Sequence, residues 1–391
     1  FSDEAWDRLD ALGDRVDQDL SEQDVRLTMG GEPTFVSIDD YEHAQWNTDA
    51  VGAHKMERAD ELLRRLQKRF APGGFMHHGQ GKWYPGETLP RWTLSLYWRA
   101  DGKPIWKRPN LVARETLPDV EKPSEVALAP QAEALAKGVA DRLGIGEEYV
   151  HAAYEDPGHW LLKEGSLPAN VDPENPKIED AEERHRMLRV FERGLSKPAG
   201  YALPVQRWQS RHTPESRWMS ERWRLRRGKL FVVPGDASIG YRLPLSSLPW
   251  LPASGYPHVY AQDPNEPRTP LPDPDAFGQP YRRSDDAPWR RQDMTQQFLN
   301  PNLQPEIDGA VRTALTTEVR DGVIHVFMPP VETVEDYLDL LAAVEETAID
   351  LGVQVQIEGY TPPADSRLNV IRVAPDPGVI EVNIHPAKNW R

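Results

Sequence analysis

The sequence contains no cysteine among its 391 residues. A chain without thiols forms no disulfide bond, no thiolate zinc site and no cysteine nucleophile, so papain-like and transglutaminase chemistry is excluded from it. Because disulfides persist mainly outside the cytosol, their absence is most simply explained by a reducing compartment. We therefore expect the protein to be cytoplasmic.

Positive charge and long apolar runs are also scarce. Lys and Arg number 46 against 62 Asp and Glu, which gives a formal net charge of −16. Affinity for nucleic acid comes largely from basic side chains that neutralise phosphates, so we do not expect nucleic acid as a partner. The sequence has no signal peptide and no apolar run of roughly eighteen residues, and we expect no membrane partner.

Helical and strand-like patterns are both present, and they are segregated along the chain. Apolar side chains repeat at helical spacing over residues 2–24, 54–70 and 333–351, and helices are also expected near 125–143, 146–155 and 179–194. Strands are predicted at 25–29, 218–226, 229–233, 322–327, 353–357, 368–373 and 379–384, with a hairpin of 91–98 and 104–106 around Asp101-Gly102. This arrangement predicts an α+β fold with a mainly antiparallel sheet and packed helices.

Changes in composition suggest four segments. We expect the first part of a catalytic domain over 1–120, and a helical segment followed by a strand pair over 121–248. A proline-rich segment follows over 249–298, and the sheet continues over 299–391. The chain begins at Phe1 without methionine and ends soon after a strand-like run, so we expect it to be part of a longer protein.

Acidic residues at strand ends are the first candidates for chemistry. Glu32 follows a strand-like run and two glycines, and Glu358 ends another strand. Glu381 and Asn383 are two residues apart, so both point to one face of a strand. Carboxylate and amide oxygens are the ligands that Mg²⁺ or Mn²⁺ takes. The alternative is that these side chains only decorate a solvent-facing sheet.

The glycine-rich run that follows Pro72 is the second candidate. Residues 77–87 are expected to form a loop in which glycine N–H groups, Lys82 and His78 could hold phosphates. Their spacing is not that of a P-loop, and adjacent histidines on an extended chain point in different directions. A packed loop held by Trp83 and Tyr84 is the alternative.

A basic, tryptophan-containing run over residues 207–227 is the third candidate. Arginines such as Arg224 bind carboxylate or phosphate through paired hydrogen bonds, and tryptophan faces stack on planar groups. Asp236 and Arg242, in tight loops after this run, could join the same site. The alternative is a strand pair with a charged outer face and tryptophans in the core.

Several motifs occur in an order that resembles a bacterial family of amidoligases. They are Gly30-Gly31-Glu32-Pro33-Thr34-Phe35, Gly79-Gln80-Gly81-Lys82-Trp83-Tyr84-Pro85-Gly86-Glu87, Pro234-Gly235-Asp236 and Asp376-Pro377-Gly378-Val379-Ile380-Glu381-Val382-Asn383. Members of that family are similar to glutamine synthetase in expected fold and are often fused behind a transglutaminase-like domain. The resemblance extends over nearly the whole chain.

The resemblance implies an ATP-dependent ligase. Such an enzyme activates a small-molecule or peptide carboxylate as an acyl phosphate, which an amine then attacks, while Mg²⁺ or Mn²⁺ neutralises the phosphates. It implies Glu381 and Glu32 as catalytic metal ligands, with Asn383 and Glu358 beside them. Lys82, Arg242 and His78 would bind the cofactor, and Arg91, Arg224 and Trp83 would bind the substrate. A transglutaminase-like domain of the same longer chain is the expected partner.

Two departures from the family pattern limit this expectation. The synthetases carry an acid eight residues before the metal-binding glutamate, and here that position is Val373, so Asp376 or Glu358 would have to replace it. The glycine-rich nucleotide loop of the family would follow Arg391. We therefore expect a glutamine-synthetase-like fold that is incomplete at its C-terminus, and a fragment that is inactive alone.

Two other functions are compatible with the residues. A non-catalytic module could bind an acidic peptide or a carbohydrate through the 13 tryptophans and the arginine-rich run. A glycosidase is a weaker alternative, since it needs two carboxyl groups roughly 5–10 Å apart across a cleft. Candidates for that pair are Glu32, Glu87, Glu358 and Glu381.

Overall fold

The computed structural model describes most of the chain, with gaps. The described residues are 2–85, 90–113, 124–164, 190, 196–210, 213–223, 225, 228–233, 240–243, 248, 268–278, 311–387 and 389–390.

Five helices of at least eight residues lie in the described part of the chain. They are α1 (Asp3–Glu22), α2 (Ala53–Phe70), α3 (Glu125–Arg142), α4 (Pro157–Glu164) and α5 (Val334–Leu351). The Thr333 hydroxyl caps the start of α5 by accepting a hydrogen bond from the Asp336 N–H at 3.1 Å. Gly352 ends the helix in the left-handed conformation, with φ of 64°.

Thirteen described strands form one large sheet and one separate pair. They are β1 (Thr34–Phe35), β2 (Phe75–Gln80), β3 (Trp92–Arg99), β4 (His151–Glu155), β5 (Gly200–Pro204), β6 (Gln206–Ser210), β7 (Thr213–Met219), β8 (Leu230–Val232), β9 (Ala314–Arg320), β10 (Val323–Met328), β11 (Val355–Gly359), β12 (Leu368–Asp376) and β13 (Val379–Asn383). The large sheet has eleven strands in the order β1-β13-β12-β3-β2-β11-β10-β9-β5-β4-β8, and β6 pairs with β7.

The large sheet is mixed but mainly antiparallel. Only three of its neighbouring pairs are parallel, and they are β10 with β11, β11 with β2 and β4 with β8. Helix α5 connects β10 to the parallel strand β11, as a crossover connection requires. The predicted α+β class with a mainly antiparallel sheet is confirmed.

Helices cover different parts of the two faces of this sheet. On one face, here called the α5 face, α3 and α5 pack with Phe75, Tyr97 and Ile357. On the opposite face, the α2 face, Ala59 and Leu63 of α2 pack with side chains of β2, β3, β12 and β13. Helix α2 therefore covers one side of β12 and β13. The candidate site lies on the other side of the same two strands.

Four local predictions were wrong. The strand expected at 218–226 ends at Met219, because residues 220–223 and 225 are not in a strand. Residues 25–29 form no strand, and pairing with β13 begins only at Gly31. Residues 104–106 do not pair with β3, because β2 and β12 occupy both of its edges; the Ile105 and Trp106 N–H groups donate to the Gly73 carbonyl instead. The predicted helix at 146–155 is a single turn at Glu147–Tyr149 followed by β4.

The predictions for the C-terminal part were confirmed, as were the helices at 2–24, 54–70 and 125–143. The helix expected at 179–194 lies almost entirely outside the described residues. Strands from the 1–120, 121–248 and 299–391 segments join in the same sheet, and the boundaries between these segments stay predictions. Within the described ranges, none of the helices has the length and apolar character needed to cross a membrane.

Candidate functional site

The β12–β13 hairpin places Glu381 and Asn383 on the α5 face. Glu381 lies opposite Ala374 and Asn383 lies opposite Arg372. Between them, Val382 points the other way and packs in the core beneath α2. The alternation of the strand thus leaves the two polar side chains together on the side that α2 does not cover.

Glu32 joins these residues through the edge of the sheet. Gly31 pairs with Ile384 and Thr34 pairs with Glu381, both antiparallel, and the Val382 N–H donates to the Pro33 carbonyl at 2.9 Å. In this register Glu32 stands across from Asn383. The residues opposite each other in an antiparallel pair share a face, so Glu32, Asn383 and Glu381 are on the same side of the sheet.

The Lys82 ammonium is bound at this position. Its Nζ donates to Glu381 Oε1 at 3.1 Å, and Asn383 Nδ2 donates to the same oxygen at 2.9 Å. Burial raises the pKa of Glu381, but the hydrogen bonds from Asn383 and Lys82 and the charges of Lys82 and Arg91 outweigh it, so the net shift is downward. The hydrogen bond to Glu381 raises the pKa of Lys82, and the Glu32 charge acts in the same direction.

A second ion pair lies beside the first. Arg91 forms a salt bridge with Asp376, the last residue of β12, and its guanidinium lies 4.3 Å from the centre of the Tyr84 ring. The backbone N–H of Arg91 also donates to the backbone carbonyl of Lys82 at 3.0 Å. The chain leaving β2 and the chain entering β3 therefore bring one ammonium and one guanidinium to the same corner.

Lys55 holds the turn beneath this corner, and the sequence analysis missed it. Its fully buried Nζ donates to the carbonyls of Asp49 at 2.7 Å, Ala50 at 3.0 Å and Asp376 at 2.7 Å. Burial lowers the pKa of Lys55 to about 8, although the Asp376 charge opposes this shift. A lysine within an amphipathic helix predicts a solvated side chain, so the sequence offered no signal for this role.

Glu358 and His78 lie on the opposite face of the sheet from Glu381. The two residues are paired in the β11–β2 register, and His78 is opposite Leu94, which packs in the core beneath α2. The structure therefore does not bring Glu358 together with Glu381 and Glu32. Glu358 and Glu381 therefore cannot form the acid pair of a glycosidase across a single cleft.

Glu358 belongs to a buried ionic network instead. Arg320 Nη2 donates to Glu358 Oε2 at 2.7 Å, His325 Nδ1 lies 3.1 Å from the same oxygen, and the Gly240 N–H donates to Oε1 at 2.8 Å. Burial raises the pKa of Glu358, but the charges of Arg320 and His325 outweigh it and lower the pKa well below the usual range. Arg320 also pairs with Glu318. The alternation of Glu318 and Arg320 along β9 was the available sequence signal for this network.

Among the described residues, the remaining predicted site residues are found on different elements. His77 and His78 are in β2 rather than in the predicted loop, and they point to opposite faces because they are adjacent in a strand. Arg242 lies two residues after Gly240, and its backbone exchanges hydrogen bonds with that of Val233. Trp83 is exposed at 63%. Arg224, Glu87 and Asp236 lie outside the described residues.

The described part of the arginine-rich run fits the simpler alternative. Trp218 and Trp223 are buried, and the Trp223 indole donates to the Val311 carbonyl at 2.8 Å. Arg207 pairs with Asp336 at 3.1 Å and Asp339 at 3.5 Å on α5. These tryptophans therefore pack in the core and do not line an open groove.

The corner can bind both positively and negatively charged groups of a polar ligand. It is formed by Glu32, Glu381, Asn383, Lys82 and Arg91. The described residues contain no group of three or more His, Asp or Glu side chains that could hold a metal ion. Glu381 Oε1 accepts hydrogen bonds from the Lys82 ammonium and from the Asn383 amide N–H. The described residues therefore supply no ready-made site of three protein ligands, whereas Mg²⁺ usually takes one or two carboxylates together with phosphates and water.

Comparison with known proteins identifies the family. Searches of curated proteins and of solved structures each found no match. A family model described as "Putative amidoligase enzyme (DUF2126)" matches residues 1–391. The chain therefore belongs to this amidoligase family.

Proposed function

We propose that this chain forms part of the active site of an ATP-dependent carboxylate-amine ligase. The family supports amide-bond formation in general. The observation that carries the proposal is the corner on the α5 face where Lys82 and Arg91 meet Glu381 and Glu32. A ligase that joins a carboxylate to an amine needs positive groups for the first substrate and negative groups for the second, and the corner supplies both.

Each side chain has a role that its contacts support. The Arg91 guanidinium, oriented by Asp376 and the Tyr84 ring, suits a carboxylate or phosphate oxygen. Glu381 is ionised at neutral pH, and its lowered pKa keeps the carboxylate charged, which suits it to bind an ammonium group. Asn383 fixes the Glu381 carboxylate by donating to Oε1.

ATP and an acyl phosphate intermediate are the finer parts of the proposal. Mg²⁺ would neutralise the phosphates of ATP, and because the described residues contain no group of three metal ligands, we derive no step through the metal. The glutamine-synthetase-like architecture, the cytoplasmic location and the transglutaminase-like partner domain belong to the same proposal.

The test is product formation by the full-length protein. It would be incubated with ATP, Mg²⁺ and a panel of amino acids and short peptides, and amide products would be measured by mass spectrometry. We expect ATP-dependent product, and a loss of at least about 100-fold in Glu381→Gln, because a neutral amide does not attract an ammonium group.

Glu147→Gln provides the matched control, because Glu147 is exposed on the turn after α3 and is not part of the corner. This variant should retain wild-type activity. Equal activity in Glu381→Gln and wild type would remove Glu381 from the mechanism. A complete absence of ATP-dependent product across the panel would contradict the ligase assignment.

A further inference from the structure

Lys82 approaches Glu381 from the solvent. The Glu381 side chain is 9% exposed, whereas that of Lys82 is 53% exposed, and only its ammonium end reaches the carboxylate. Because most of the lysine stem lies in water, the ammonium can leave without disturbing the core. The route that it follows is equally open to the ammonium group of another molecule.

The hydrogen bonding at the corner favours an ammonium group over a divalent cation. Among the described residues, Arg91 compensates Asp376 and Lys82 compensates Glu381, so a ligand that displaces Lys82 meets the carboxylates of Glu381 and Glu32. Magnesium needs near-octahedral coordination by oxygen, whereas an ammonium needs up to three hydrogen-bond acceptors. Glu381 Oε1 already accepts a hydrogen bond from an ammonium in this structure, and the nearby Glu32 carboxylate also attracts that ammonium.

We propose that the corner of Glu32, Glu381 and Asn383 is a subsite for a primary alkylammonium group, in which Lys82 stands in for the ligand. This inference rests on the proposed function, because the group bound there would be the amine substrate of the ligase. The amine displaces the Lys82 ammonium and takes its hydrogen bond to Glu381. Lys82 then competes with the substrate and weakens the binding of amines that cannot replace all of its contacts.

Truncation of Lys82 tests the proposal without any turnover. In Lys82→Ala the missing atoms correspond to n-propylammonium, so n-propylammonium chloride is the probe, titrated into the protein and followed by calorimetry and by NMR. We expect Lys82→Ala to bind the probe about threefold to fivefold more tightly than wild type, because a part-exposed ion pair of up to about 1 kcal/mol no longer competes.

Three comparisons make the result specific. Tetramethylammonium carries the same charge without an N–H donor, so it should bind at least about tenfold more weakly than n-propylammonium. Lys82→Met replaces the lysine with an uncharged chain of similar length and should show no gain over wild type. The double variant Lys82→Ala, Glu381→Gln should lose the gain, and circular dichroism establishes that each variant is folded.

Two outcomes would overturn the proposal. One is tighter binding of Mg²⁺ than of n-propylammonium by Lys82→Ala, which would assign the corner to a metal. The other is unchanged n-propylammonium binding when Glu381→Gln is added, which would place the probe elsewhere. Because the assay contains no ATP, a failure of the ligase reaction leaves this result standing, and the reverse also holds.

Discussion

Glu345 should make the stability of the protein depend on pH. Its side chain on α5 is only 1% exposed, and its Oε1 accepts hydrogen bonds from the backbone N–H groups of Lys107 at 2.6 Å and Arg108 at 2.7 Å. Burial raises the pKa of Glu345 from 4.5 to about 7, although these N–H groups act in the opposite direction. The folded protein therefore retains a proton on Glu345 that the unfolded chain has released.

The sign and the size of the effect follow from this difference in pKa. Between pH 4.5 and about 7 the folded state binds more protons than the unfolded state, so the free energy of unfolding falls as the pH rises. Each tenfold change in proton affinity corresponds to about 1.4 kcal/mol, which gives a total loss of about 3 kcal/mol. The loss is complete once the pH exceeds the folded-state pKa.

Glu345→Gln isolates this contribution, because glutamine keeps an oxygen acceptor for both N–H groups and does not titrate. We expect the variant to match wild type near pH 4.5 and to be more stable by about 3 kcal/mol at pH 8. Urea unfolding of both proteins at several pH values measures the difference, in which the other titrating groups cancel. A difference that does not change with pH, or a variant that is less stable at pH 8, would refute the reasoning.

Two further predictions concern single backbone positions, each measured by urea unfolding. Gly378 and Gly102 have φ of 74° and 75°. A Cβ at Gly378 would lie 2.9 Å from the Asn47 carbonyl oxygen, whereas a Cβ at Gly102 would have no neighbour within 4 Å among the described residues. Gly102→Ala should therefore cost about 1 kcal/mol and Gly378→Ala about 2–4 kcal/mol, and equal costs would contradict the predicted clash. Thr333→Ala should cost about 1 kcal/mol by removing the cap of α5, and Thr333→Ser should restore it; a serine variant as unstable as the alanine one would assign the loss to packing instead.

The elements that could be predicted from the sequence are those whose signals are local. Helix α5 combines a threonine cap, an apolar stripe and a terminal glycine, and each of these acts within a few residues of the chain. The same is true of the strands that flank it: β10 is a mainly apolar run, and apolar and polar residues alternate along β11. Local propensity and tertiary packing agree here, so the sequence alone was sufficient.

Strand pairing is not local, and the wrong predictions arose from it. The Asp101-Gly102 turn was correctly placed, and Gly102 has the left-handed conformation that a tight turn requires. The segment after the turn nevertheless cannot pair with β3, because β12, more than 250 residues further along the chain, occupies that edge. A hairpin signal predicts where the chain turns, and it does not predict which strand becomes the neighbour.

The candidate site shows the same limit in its carboxylates. The i, i+2 spacing of Glu381 and Asn383 was enough to place both on one face, and the structure agrees. Whether Glu358 shares that face depends on four successive registers between β11 and β13, which connect Glu358, His78, Leu94, Val373 and Val382. A shift of one residue in any single register would move Glu358 to the side of Glu381. Since every one of those registers is set by contacts distant in sequence, the acidic residues of this chain could be found from the sequence, but their division between the two faces required the fold.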